Sequence, residues 1–124
     1  MSMKVTYIQH SVFAVELGKK VLIFDYYRGE LPAFGRDRVV YVFVSHRHYD
    51  HYQRAIFRWS EGLPRITYIL SGDVKEAVPS YAPKGDILFV GPGESLRIGE
   101  GEGALFIETL ESTDEGVAFV VKAE

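Results

Sequence analysis

The sequence contains no cysteine, and among its 124 residues it has only four histidines, five prolines and one tryptophan. The lack of cysteine excludes disulfide bonds and thiolate metal ligands, so any metal ion must be held by histidine, aspartate or glutamate. Such ligands favour zinc, iron or manganese over ions that prefer sulfur. The sequence also has no apolar run of membrane-spanning length and no basic segment leading into one, so we expect a soluble, cytoplasmic protein without membrane contacts.

Basic residues form no cluster or stripe in the sequence. There are 14 Lys and Arg residues against 17 Asp and Glu residues, which gives a formal net charge of -3. A chain with this balance has no general attraction to nucleic acid or to anionic lipid, so we expect neither as a partner. The content of 47% hydrophobic and 25% charged residues is that of an ordinary globular protein, and residues 1–124 are interpreted as a single domain.

Short apolar segments separated by turn residues predict a strand-rich α/β domain. Gly18–Lys20 separates two of these segments and predicts a hairpin turn. The apolar run Val39–Ser45 is typical of a central strand that is buried on both faces. The predicted strands are Lys4–Gln9, Val12–Leu17, Val21–Asp25, Val39–Ser45, Ile66–Leu70, Ile87–Val90, Ser95–Ile98, Ala104–Leu110 and Val117–Val121.

Helical periodicity is clear in one segment, between the fourth and fifth predicted strands. The apolar residues at positions i, i+3, i+4 and i+7 are Tyr52, Ala55, Ile56 and Trp59. They predict a helix with one apolar face, ended by Gly62 and Pro64. Together with its neighbours this helix would form a strand–helix–strand unit. A second, shorter helix is predicted over Asp73–Val78.

Three of the four histidines lie in the stretch SHRHYDHY, which follows the central apolar run directly. Its ligand-type residues are His46, His48, Asp50 and His51, in the pattern H-x-H-x-D-H. Because Asp50 and His51 are adjacent, they face different directions. This spacing suits two neighbouring metal ions, with His46 and His48 on the first ion and Asp50 and His51 on the second. The end of a central strand is also where open α/β sheets commonly bind ligands.

A structural explanation of the same residues is available. Asp50 and Gln53 have the spacing of a capping box for the helix at Tyr52, and histidines in a turn can simply be solvated. Structural needs alone do not require four ligand-type residues within six positions, so the metal-binding interpretation is favoured.

The stretch SHRHYDHY resembles the metal-binding signature of the metallo-β-lactamase superfamily, with a full match in residue type and spacing. The residues Gln9-His10-Ser11, and later Leu22-Ile23-Phe24-Asp25, are similar to the opening hairpins of the hydrolase branch of that family. The segment from Leu110 to Phe119 resembles its later strand–turn–strand. The resemblance implies an αβ/βα sandwich of two sheets with outer helices, of which 124 residues provide about the first half.

The resemblance also implies a site and a chemistry. In the family, two zinc ions activate water for hydrolysis, and iron or manganese are alternatives. His46, His48, Asp50 and His51 would be the metal ligands, with Asp50 also counted as catalytic. Asp25 would orient a ligand through a hydrogen bond.

The remaining ligands of the family are missing from this sequence. The family completes its site with a histidine from a Gly-His-Thr-like turn, a bridging aspartate and a final histidine, but no histidine follows His51. Ser112 or Thr113 occupies the place of the turn histidine. Asp114 or Glu115 could supply an oxygen ligand there, or the segment is a solvated acidic turn. His10 is a candidate for the pocket rim, with a structural role as the alternative. Arg47 and Tyr49 are candidates for the entrance or for the surface.

These observations lead to two functional hypotheses, and they argue against a third, the nucleic-acid processing role of some family members, because the charge balance is acidic and no basic stripe is present. The first is a metal-dependent hydrolase that acts on a small ester, lactone, amide or phosphodiester. The second is a truncated or degenerate half-domain that serves as a dimerising or interaction module without catalysis. The incomplete ligand set has three possible explanations: the chain is a fragment of a longer enzyme, it pairs with a second copy in a dimer that imitates the two-halved fold, or it is a degenerate member that keeps the fold and uses it otherwise. Since a half-sandwich leaves an apolar sheet face exposed, we expect a homodimer.

Overall fold

A computed structural model of the chain describes residues 3–9, 12–29, 34–35, 37–48, 51–83, 85–99, 104–111 and 116–123. Nine strands lie within these residues, and each agrees with a predicted segment to within two residues at either end. They are β1 (Met3–Gln9), β2 (Val12–Leu17), β3 (Lys20–Phe24), β4 (Val39–Val44), β5 (Ile66–Ser71), β6 (Ile87–Val90), β7 (Ser95–Ile98), β8 (Leu105–Glu111) and β9 (Val117–Ala123). The predicted strand-rich α/β architecture is therefore confirmed.

The first sheet contains six strands in the order β1-β2-β3-β4-β5-β6. Strands β1 to β3 form an antiparallel meander, whereas β3 to β6 run parallel to one another. Strand β4 lies inside the sheet, and Val40, Val42, Phe43 and Val44 have no exposed surface. Burial on both faces explains why its sequence is apolar throughout, as predicted.

The second sheet contains β7, β8 and β9 in antiparallel order and packs on one face of the first sheet. Alternation along β4 assigns its side chains to two cores. Tyr41 and Phe43 pack against Leu105 and Ile107 of the second sheet. The alternate residues of β4 pack under the helices on the opposite face, together with Phe57. The described residues thus form three layers, with the six-stranded sheet in the middle.

Two short helices cover the outer face of the first sheet, and both are 3₁₀ helices: Arg54–Glu61 and Gly72–Ala77. The first lies between β4 and β5, so the predicted strand–helix–strand unit is confirmed. It begins two residues later than predicted, and Gln53 occupies its N-cap position without a capping hydrogen bond from its side chain. Gln53 is thus not the third residue of the helix, as the capping box would require, and Asp50 lies outside the described residues. No helix among the described residues has the length and apolar character needed to cross a bilayer.

Candidate metal centre

Asp25 and Ser45 come together because they follow two parallel, neighbouring strands. Phe24 of β3 pairs with Phe43 of β4, so the residues after both strands lie at the same edge of the sheet. Asp25 donates its backbone N–H to the carbonyl oxygen of Phe43 at 2.8 Å and has a positive φ of 49°. Aspartate tolerates this left-handed conformation better than most residues. The Asp25 carboxylate then accepts two hydrogen bonds of 2.7 Å from Ser45, one from the backbone N–H and one from the hydroxyl group.

The same carboxylate fixes the tautomer of His51. Nδ1 of His51 lies 3.0 Å from Oδ2 of Asp25. A carboxylate only accepts hydrogen bonds, so Nδ1 of His51 carries the proton of the neutral ring. The other ring nitrogen, Nε2, then carries no hydrogen, and this is the form in which a ring nitrogen binds a metal ion.

Ser45 imposes the same state on His46. The hydroxyl group of Ser45 has one hydrogen, which it donates to Asp25, and its oxygen lies 2.7 Å from Nδ1 of His46. Nδ1 of His46 must therefore donate to Ser45, which leaves the lone pair on Nε2. Asp25 sets the tautomers of both histidines, one directly and one through Ser45.

The three described histidine rings form one group. The ring centres of His46 and His51 are 4.7 Å apart, and those of His46 and His48 are 5.7 Å apart. Asp25, His46 and His51 each offer a ligand-type atom, and these atoms lie within 4.8 Å of one another. The exposed fractions of the His51 and Asp25 side chains are 26% and 15%, so solvent reaches the group.

Comparison with known proteins identifies the fold to which this architecture belongs. No protein-family model matches the sequence. Among solved structures, Igni18, described as a novel metallo hydrolase from the hyperthermophilic archaeon Ignicoccus hospitalis, matches 98% of the chain with a TM-score of 0.59 and 18% identity. CmlA, a diiron β-hydroxylase from Streptomyces venezuelae, matches 98% with a TM-score of 0.63 and 12% identity. The chain has a metallo-β-lactamase-like fold. It spans 56% of the length of the first protein and 28% of the second.

The histidine group of this metallo-β-lactamase-like fold suits a metal ion. Two imidazoles bound to one tetrahedral zinc ion at ~2.0–2.1 Å have ring centres about 5 Å apart. The separations of 4.7 and 5.7 Å lie close to that value. Both Asp25 oxygens already accept hydrogen bonds from Ser45 or His51, so Asp25 fits the role of a supporting residue better than that of a ligand. The ligand-type atoms left to a metal ion in the described group are then histidine nitrogens.

Several predicted site residues lie outside the described residues. These are His10, Tyr49, Asp50, Ser112, Thr113, Asp114 and Glu115. The division of the ligands between two ions and the replacement of the missing turn histidine therefore stay predictions. Of the residues that are described, the structure brings together ligand-type atoms of Asp25, His46 and His51. His48 is not part of that group, although its ring lies beside the ring of His46.

An open cavity lies beside Arg47 in the histidine loop, by which we mean residues 45–51. It has a volume of about 280 Å³ and is lined by Arg47, Gly72, Asp73, Lys75 and Glu76. The backbone N–H of Arg47 donates to Oδ2 of Asp73 at 3.2 Å. Within the part of the chain that the structure describes, the buried Oδ1 of Asp73 has no hydrogen-bond partner. Arg47 is exposed, and none of the described histidines is among the residues that line this cavity, so its place at the entrance stays a prediction.

Sequence reasoning assigned no role to Ser45, which holds both Asp25 and His46. Its signal was its place between a buried strand and the first histidine, where a small hydroxyl residue can reach two neighbours. The backbone of Ser45 is also tied to the second sheet, because its carbonyl oxygen accepts a hydrogen bond of 2.9 Å from the N–H of Val117. This hydrogen bond joins residues that are far apart in the sequence, so no local sequence pattern predicts it.

Proposed function

We propose that the chain acts as a metal-dependent hydrolase with its metal centre on the histidine loop. The observation that carries this proposal is the hydrogen-bond chain from Asp25 through Ser45 to His46 and directly to His51. A carboxylate that holds the far nitrogen of a histidine is the usual support of a metal-binding imidazole. The fold shared with Igni18, described as a metallo hydrolase, adds support without deciding the reaction.

In this proposal His46, His48, Asp50 and His51 hold the metal, and Asp25 keeps the rings of His46 and His51 in the binding tautomer. The chemistry supplied by such ions, when bound, is a lowered pKa of water and polarisation of the bond under attack. Zinc is the ion we propose, as a pair, since nitrogen and carboxylate ligands in a cysteine-free chain suit it. Iron or manganese would suit the same ligands.

The proposed substrate is a small molecule with an ester, lactone, amide or phosphodiester bond. The cavity lined by Arg47 and Lys75 is the place we propose for it, because Arg47 lies between His46 and His48 in the sequence. The net charge of -3 argues against nucleic acid as the substrate.

We further propose a second copy of the chain as the partner. A catalytic zinc ion normally has three protein ligands, and two ions would need more ligands than His46, His48, Asp50 and His51 supply. The outer face of the second sheet bears three large apolar residues that are 36–53% exposed: Phe106, Leu110 and Val120. Exposed apolar groups of this kind mark interfaces. A dimer would cover this face and allow a second chain to contribute ligands.

The experiment that tests the function is metal analysis followed by activity assays. Wild-type protein purified without chelator or added metal is expected to carry on the order of one ion or more per chain. It should hydrolyse at least one member of a panel of chromogenic esters, lactones and phosphodiesters. His48→Ala should lose both properties, whereas Gln53→Ala, an exposed change near the same loop, should keep its metal.

Three outcomes would contradict the proposal in different ways. Metal well below stoichiometry in the wild-type protein would remove the metal centre and favour the non-catalytic interaction module. Stoichiometric metal without activity on any substrate of the panel would remove the hydrolase and leave a metal-binding protein. Equal metal in His48→Ala would exclude His48 as a ligand.

A further inference from the structure

Gly116 lies where the second sheet meets the histidine loop. It precedes β9 directly and has a positive φ of 94°. A Cβ atom at this position would lie 2.0 Å from the carbonyl oxygen of Ser45 and 3.0 Å from Cδ2 of His46. Real Cβ atoms do not approach backbone oxygens so closely, so a side chain here would displace the loop.

Gly93 shows that the backbone conformation alone does not explain this position. It also has a positive φ, of 76°, but a Cβ atom there would meet no atom within 4 Å. Both glycines avoid the strain that a side chain suffers in the left-handed region. At Gly116, but not at Gly93, a side chain would also clash with a neighbouring residue. That residue is Ser45, whose backbone belongs to the candidate metal centre.

The close approach allows a specific hydrogen bond. The N–H of Val117, the next residue, donates to the carbonyl oxygen of Ser45 at 2.9 Å. Val117 is 1% exposed and packs in the core between the two sheets, so this donor is held firmly. The N–H of Ser45 is held by Asp25 in turn. Ser45 is thus fixed from the first sheet on one side and from the second sheet on the other.

The ring atom of His46 that faces Gly116 matters for metal binding. Cδ2 is bonded to Nε2, the nitrogen that carries no hydrogen when Nδ1 donates to Ser45. A methyl group at position 116 would press on the ring beside that nitrogen. It would also push the Ser45 carbonyl away from Val117.

We infer that Gly116 is a positioning residue of the metal centre, which sets where His46 directs Nε2 relative to His51. This inference rests on the proposed metal-binding function. The second sheet acts in it as a support for the histidine loop, although within the described residues it provides no ligand-type group to the cluster.

The test compares Gly116→Ala with Gly93→Ala. Both place alanine at a positive φ, so both carry similar backbone strain, but only the first also clashes with the loop. Zinc affinity, measured by competition with a chromophoric chelator, should fall by about 10- to 100-fold in Gly116→Ala, as for other changes that disturb a ligand's support. Gly93→Ala should bind as the wild type does. The visible spectrum of the cobalt-substituted protein should change in Gly116→Ala only.

A metal-free measurement separates this inference from the proposed function. Nitrogen chemical shifts of the histidine rings report the tautomer of His46, which Gly116→Ala should disturb and Gly93→Ala should leave intact. Wild-type protein that binds no zinc would overturn the proposed function and the role of Gly116 in metal affinity. Wild-type protein that binds zinc, with the same affinity and spectrum in Gly116→Ala, would overturn the inference alone.

If Gly116→Ala does not fold, hydrogen exchange on the wild-type protein decides the matter. Zinc should slow exchange of the Val117 amide by a larger factor than exchange of the Gly93 amide. The N–H of Gly93 donates to the carbonyl oxygen of Thr109, in the second sheet, at 2.9 Å, and not to the histidine loop. Equal slowing of both amides would mean that the Ser45–Val117 bond is not coupled to the metal centre, and the inference would be wrong.

Discussion

Oδ2 of Asp25 lies 3.0 Å from Nδ1 of His51, although 25 residues separate them in the sequence. The contact exists because Asp25 ends β3 in a left-handed turn, at the sheet edge where the histidine loop leaves β4. The carboxylate leaves His51 one tautomer in the neutral state, with the hydrogen on Nδ1 and none on Nε2. Asp25, which follows a different strand, thus determines whether His51 has the tautomer that can bind a metal ion.

Asp25→Asn tests this relationship. An amide group can present N–H where the carboxylate only accepts, so it no longer enforces the binding tautomer. We expect zinc affinity to fall by about 10- to 100-fold, measured by chelator competition. Asp86→Asn is the matched control, because Asp86 is exposed and has nearly the same positive φ, 48° against 49°. Equal affinities in both variants would show that Asp25 does not support the ligands.

Ser45→Ala tests the indirect part of the same chain. The change removes the partner of His46 Nδ1 and one of the donors to the Asp25 carboxylate. Loss of a partner from partly buried polar groups should lower the free energy of unfolding by about 1–3 kcal/mol, measured by urea denaturation. Zinc binding should weaken as well.

The control for this variant is Ser71→Ala, a buried serine at the end of the neighbouring strand β5. It should leave zinc affinity at the wild-type value. If both serine variants bind zinc equally well, the contact between Ser45 and His46 has no part in the site.

Tyr68→Phe should change how stability depends on alkaline pH. Tyr68 is fully buried and donates its hydroxyl hydrogen to the carbonyl oxygen of Ile56 at 2.6 Å. Burial raises the pKa of Tyr68 above its ordinary value of 10.0, because the phenolate would be desolvated. The unfolded chain therefore loses this proton first, and stability that is full below about pH 10 declines as the pH rises toward the raised pKa.

In Tyr68→Phe the decline should be shallower, while stability at neutral pH falls by about 1 kcal/mol through loss of the hydrogen bond. Urea denaturation at neutral pH and above the ordinary tyrosine pKa measures both effects. Tyr81→Phe, at a tyrosine that is 45% exposed, controls for the loss of a hydroxyl group. An unchanged alkaline slope in Tyr68→Phe would assign the decline to other groups.

Leu110→Glu tests the proposed dimer. Leu110 is 53% exposed on the outer face of the second sheet, and burial of a new charge there would oppose association. Light scattering coupled to size-exclusion chromatography should show a dimer for the wild-type protein and a monomer for the variant. Leu88→Glu, at a leucine of the first sheet that is 39% exposed, should remain a dimer. A monomeric wild-type protein with a full complement of metal would refute the proposal.

The strands were predictable because each is short, apolar or alternating, and bounded by turn residues. The apolar run of β4 predicts a strand that is buried on both faces. Such a strand needs a packed layer on each face of its sheet, and the second sheet is one of these layers. The type of the helix at Arg54–Glu61 was not predictable. The predicted apolar face was correct at Ile56 but wrong at Ala55, which is exposed, and it omitted Phe57, which is buried. A 3₁₀ helix has three residues per turn, so its side chains lie at other angles around the axis than in the α-helix that the spacing predicted.

The candidate site was predictable where its residues are adjacent in sequence and not where they are distant. The cluster of His46, His48 and His51 stands out by spacing alone. The contacts of Ser45 with Asp25 and Val117 depend on strand order and on how the two sheets pack. Such information is absent from any local pattern, so neither Ser45 nor Gly116 was assigned a role from the sequence.

The position of Gly116 against Ser45 and His46 has a consequence for the history of such chains. A side chain at residue 116 would clash with the histidine loop, so a substitution there should be tolerated only where the loop has moved or no longer binds a metal ion. In related sequences, glycine at this position and histidine at position 46 should therefore be kept together or lost together. Gly93 meets no such neighbour and should vary independently of both.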